Sequence, residues 1–143
     1  MASVIYNRFK QGVLAGDYDL DNAAVDVKVA LVTSTYTPDI DTHEDYADLT
    51  NEVANGNGYT TGGAVLANKA VTKDTTDNEG VFDADNVTWS NSTITARGAV
   101  VYVDTGTDST SLLIAYFDFG EDKVSSAGDF IIQWATEGII NIG

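Results

Sequence analysis

Asp17, Asp19 and Asp21 stand at alternate positions, the spacing with which a calcium-binding loop opens. Side chains two residues apart can aim oxygens at one hard cation, but the complete loop also needs glycine at its sixth position and a bidentate glutamate at its twelfth. Here those positions hold Asn22 and Lys28, so the triplet reads as turn and capping residues. His43 is the single histidine, and the chain contains no cysteine. A serine nucleophile would have to recruit His43 as its base, and multi-histidine or thiolate zinc sites cannot be built. Its neighbours Asp41, Glu44 and Asp45 predict a solvated loop histidine instead. Carboxylate pairs, the tools of glycoside hydrolysis, are uninformative among 22 acidic residues. Gly62 and Gly63, with Gly56 and Gly58 nearby, lack the Lys-Ser/Thr ending and the following helix of a phosphate loop. Asn86-Val-Thr and Asn91-Ser-Thr match glycosylation acceptors without an accompanying secretion signal. The sequence therefore predicts no catalytic, cofactor-binding or metal-binding residues, no cofactor, and a protein that is not an enzyme.

Aromatic residues raise a different chemistry, stacking on sugar rings. Trp89, Tyr102, Tyr116 and Trp134 fall in strand-like segments, where aromatics are usually core. Tyr36, Tyr46 and Tyr59 fall in loops and are the candidates for exposure. Arg97, an isolated cation within a strand, is expected to pair with a carboxylate.

The elements that position these residues are mostly strands. Residues 25–33 alternate, with Val25, Val27, Val29 and Leu31 on one face, as a half-buried strand requires. Ile94, Ala96, Val100 and Tyr102 mark a second strand, and residues 112–119 a third that stops at Gly120. Shorter strands are predicted at 64–73, 81–82, 87–89, 130–135 and 139–142. Near the start, Ile5, Phe9 and Val13 recur every four residues as the apolar stripe of a helix, with Ser3 as N-cap and Gly16 as terminator. Residues 34–51 form a long acidic connection containing Pro38, of a length uncommon inside a compact domain and often functional. About eight short strands with one helix predict an all-β fold, an antiparallel β-sandwich of jelly-roll or immunoglobulin-like topology. It is expected as one domain over 1–143, with 1–16 as an N-terminal helix packed on it. The rival is a mixed α+β domain in which 45–53 or 63–70 is helical.

The formal charge of −15, from 22 acidic and seven basic residues, excludes several partners. So negative a surface is repelled by phosphate backbones and anionic membranes, so neither nucleic acid nor membrane is an expected partner. No segment approaches the roughly 20 apolar residues of a membrane span, and no basic-then-apolar leader opens the chain. Synthesis and retention in the cytoplasm are expected. A hydrophobic content of 43% argues for a folded globular chain.

The wording of the chain carries a resemblance. VTWSNSTITARGAVVY (87–102), LIAYFDFG (113–120) and FIIQW (130–134), with VIYNRFKQGVLAGDYDLD (4–21), VKVALVTSTYTPDIDTHEDYADLTNEV (27–53) and GYTTGGAVLANKAVT (58–72), resemble a family of small structural proteins encoded by tailed bacteriophages. The resemblance covers essentially the whole chain and implies a virion protein, with no catalytic residues to carry over. For a chain this short, the expected place is the head surface, as a decoration or cement protein, made in the host cytoplasm. The expected partners are the major capsid protein lattice and copies of itself in a homo-oligomer. The alternative is an adhesin or fibre module that binds a host surface glycan.

Overall fold

A computed structural model describes residues 2–143. Strand makes up 44% of the chain and helix 11%, so the fold is all-β. The largest sheet has five antiparallel strands, in the order β1 (Val4–Ile5), β8 (Leu113–Val124), β7 (Thr95–Asp104), β2 (Asp26–Val32), β3 (Ala64–Val65). Strands β10 (Ile140–Ile142), β5 (Glu79–Asp83) and β4 (Ala70–Asp74) make a second sheet, and β6 (Val87–Ser92) pairs with β9 (Gly128–Ile132). Among the described residues one α-helix, α1 (Asn7–Ala15), follows β1.

Alternation along the strands builds the sandwich. Val27, Val29 and Leu31 of β2, with Val101 of β7 and Ile114 of β8, share one apolar core with Phe82, Trp89, Phe130 and Ile140 of the smaller sheets. The opposite face of the large sheet is buried too. Ala30, Val32, Val100, Tyr102, Leu113 and Tyr116 of the sheet cluster with Tyr6 and Tyr36, and Tyr46 and Leu49 pack against them. Covering both faces explains why residues 29–32 are a run of four buried apolar residues, as in sheets shielded on both sides. The predicted alternation identified only the first of these faces.

Several boundaries differ from the sequence expectation, each for a local reason. Ser3 does not cap α1, which starts at Asn7 after an extended Tyr6 with no side-chain cap. The Ser3 hydroxyl instead accepts from the Asp118 backbone N–H at 2.9 Å, tying the N-terminus to β8. Gly16 does end the helix, at φ 77°, where a side chain would be strained. The expected strand at 64–73 is two strands, β3 and β4, separated by a turn in which Asn68 has φ 52°. Neither 45–53 nor 63–70 is α-helical; only Tyr46–Asp48 forms a 3₁₀ turn, capped by Asp45. Strand β9 ends at Ile132, so Trp134 lies beyond it and donates its indole N–H to the Asp85 carbonyl at 3.1 Å. Strand β8 continues past Gly120 because its register with β7 jumps: Gly98 faces Asp118, whereas Ala96 faces Lys123. Arg97 sits at this irregularity and meets Asp118 at 2.8 Å, the carboxylate partnership expected of it.

Candidate functional site

A part-buried polar cluster lies at the outer edge of β2, where the long connection returns to the sheet. Strand β3 pairs with β2 only at Lys28 and Val29. Further along, residues 51–53 take over: Thr33 N–H donates to the Asn51 carbonyl and Val53 N–H to that of Leu31, both at 2.9 Å. Gly63 completes the return. A Cβ there would stand 1.8 Å from the Val29 carbonyl oxygen, and its φ is +80°, so only glycine lets the two backbones approach so closely.

This path places the Glu52 carboxylate between three donors. Oε1 accepts from the Tyr59 hydroxyl and the Gly62 backbone N–H, both at 2.6 Å, and Oε2 accepts a short hydrogen bond from the Tyr46 hydroxyl. The Tyr59 hydroxyl in turn accepts from Leu31 N–H at 3.0 Å, and the Tyr102 hydroxyl donates to the Gly62 carbonyl at 2.6 Å. The Tyr46 ring stacks on Tyr102 with centroids 4.8 Å apart. Burial first, then the hydrogen bond to Glu52 and its charge, pushes the Tyr46 phenol well above its ordinary range. Tyr59 shifts the same way, again with burial the largest cause. Both are therefore neutral donors. A tyrosine nucleophile beside a carboxylate base needs the opposite shift, so the cluster suits bracing better than bond-making.

A second chain of hydrogen bonds fixes the middle of the same connection. The Tyr6 and Tyr36 hydroxyls are 2.6 Å apart, and the Tyr36 hydroxyl is 3.0 Å from His43 Nδ1. Asp39 N–H also donates to Nδ1, at 3.3 Å, so this nitrogen is an acceptor and the proton of the neutral ring sits on Nε2. The donors then run in one direction, from Tyr6 to Tyr36 to His43. This corrects the expectation of a solvated histidine: His43 is half-buried because the apolar sheet face beneath it must be covered. It also corrects the exposed-aromatic expectation. Tyr36 and Tyr59 are each only 2% exposed, and Tyr46 is half-buried with its ring stacked on Tyr102.

The aspartate triplet does not converge. Asp17 pairs with Arg8 at 2.8 Å, Asp19 accepts from the Asn22 side-chain amide at 2.8 Å, and Asp21 stands at the mouth of a groove beside α1. Among the described residues, the acidic oxygens that do lie within 4.8 Å of one another belong to Asp74, Asp77 and Glu79, around the β4–β5 turn. These groups already serve the turn. Asp74 Oδ1 accepts from Thr76 and Asp77 N–H, and Glu79 Oε1 from the Asn141 amide. The turn itself spans only residues 75–78, because Lys73 and Asp74 pair with Gly80 and Glu79 in the β4–β5 ladder, and nothing in the spacing of these residues announces the clustering.

Glu52 was not distinguished among the 22 acidic residues, because its partners come from positions 46, 59 and 62 of a folded-back loop. No family model, curated protein or solved structure matches the chain.

Proposed function

We propose that the chain is a non-enzymatic structural protein of a tailed-phage virion, a decoration or cement protein that binds the head lattice from outside. The observation that carries this reading is the inward use of the polar cluster. Glu52, five tyrosine hydroxyls and the His43 Nδ1 satisfy one another and the backbone, holding a long connection on a sheet face. A surface loop that is braced in this way suits a part that must present one shape to a repeating lattice. The sequence resemblance to small phage structural proteins points the same way, and the acidity keeps unassembled copies apart. The protein acts by mass action. It binds assembled shell but not separated subunits, so the intact particle is favoured.

The test uses particles made with and without the protein. Particles lacking it assemble but release their DNA at lower temperature or under milder osmotic shock. Purified protein restores resistance and saturates at a fixed number of copies per shell. Depleted particles that are equally robust yet fail to adsorb to cells would end this reading in favour of a host-recognition module.

A further inference from the structure

Beside α1 the molecule leaves an apolar groove of about 320 Å³ open to solvent. Phe9 of the helix and Phe82 of β5 form its buried floor, and Val13, Val71 and Ile142 line it while remaining 39%, 50% and 50% exposed. Leu14, next to Val13 on the helix, is 91% exposed. Clustered apolar surface of this kind marks contact sites, unlike scattered single residues.

Charge decides what fits. The charged residues that line the groove are Asp19 and Asp21, and neither is in an ion pair among the described residues. The carbonyl end of α1 adds to the same field. A helix C-terminus carries partial negative charge that cations offset, and the last turn of α1 contains no basic residue. A second copy of a chain carrying −15 would bring like charges together at this mouth. An anionic lipid surface meets the same repulsion.

We propose that this groove is the docking site for a basic segment of a partner protein, whose two or three large apolar side chains enter between α1 and the β4–β5–β10 sheet while flanking Lys or Arg residues meet Asp19 and Asp21. The inference deepens the virion reading and rests on it only for the partner's place in the assembly; binding itself is measured on the isolated protein.

The probe is an amphipathic Leu/Lys peptide of about 14 residues, roughly four helical turns, titrated into the purified full chain by calorimetry and mapped by NMR. A Leu/Glu peptide of the same pattern and a Ser/Lys peptide of the same charge are the controls. The Leu/Lys peptide is expected to bind saturably, to weaken with salt, and to shift the resonances of Val13, Val71 and Ile142. Val13→Thr with Val71→Thr should weaken it on the order of tenfold through lost apolar contact. Asp19→Asn with Asp21→Asn should lower its salt dependence, and this pair keeps the test sharp should the valine variants fold poorly. Val124→Thr, at an exposed valine outside the groove, should change nothing. Equal binding of either control peptide, equal loss in Val124→Thr, no saturable binding, or a dimer whose interface occludes the groove would each overturn the proposal. Those outcomes leave the particle experiment standing, and a failed particle experiment with intact peptide binding would remove the virion reading alone.

Discussion

The two faces of the central sheet are sealed by different physics. On one, Leu31, Val101 and Ile114 meet Trp89, Phe130 and Phe82 in a dry core, where stability comes from removing apolar area from water. On the other, the cover is a connection rather than a sheet, and its tyrosines bring hydroxyls that must be satisfied as they are buried. The Tyr6 hydroxyl bonds that of Tyr36, which bonds His43, while Tyr46 and Tyr59 share Glu52. Tyr59 joins the two solutions, since its ring belongs to the dry core and its hydroxyl to the polar brace. The comparison teaches that a loop can replace a second sheet layer when aromatic rings supply area and a few fixed acceptors absorb their polar ends.

Alkali should break both faces together, and this is the largest expected effect. Burial is the leading cause of an upward shift at all seven tyrosines, Tyr18 and Tyr36 reaching about 12. Because the folded values are raised, the tyrosines' stabilisation is complete below about pH 10, the ordinary phenol value, and is lost as pH rises through the folded values. Phenolate absorbance should therefore appear in one cooperative step coincident with loss of the circular dichroism signal. Gradual ionisation of several tyrosines in a still-folded protein would show that the loop face is open to water.

Ile114→Ala attacks the dry face alone. A fully buried isoleucine truncated in a packed core costs about 3–4 kcal/mol, read as a lower urea midpoint with unchanged slope. Glu52→Gln attacks the polar brace. Its amide cannot accept from all three donors, so the loss is about 2 kcal/mol. The effect should be concentrated locally, with amides of 34–63 exchanging faster in hydrogen-exchange experiments while those of β7 and β8 keep their protection. Equal loosening of β7 and β8 would mean that the faces are one cooperative unit.

The smallest effect is expected at Asp118, whose carboxyl is lowered to about 2, first by Arg97 and then by the Gly120 backbone N–H. A lowered folded value gives stabilisation that is present above about pH 4 and is lost as pH falls toward the folded value. Asp118→Asn should flatten the acid limb of a stability–pH profile between those limits and leave the alkaline limb unchanged.

What the sequence determined by itself follows from local pattern. Alternation at Val27, Val29 and Leu31 specifies a strand face because side chains on a pleated backbone point to opposite sides in turn. Gly16 marks a helix end because it accepts φ > 0 without strain. Only the tertiary structure decided the rest, since those relations join residues far apart in sequence. Tyr36 and Tyr59 occupy loop segments whose local composition predicts exposure, yet an uncovered sheet face draws their rings inward. Glu52 is one carboxylate among many until Gly63 lets the chain press against Val29 and brings Tyr46, Tyr59 and Gly62 around it. The apolar groove likewise needs Val13, Val71 and Ile142 to meet from a helix and two strands. Periodicity records which way a side chain points from its own element, and chain folding alone determines what it finds there.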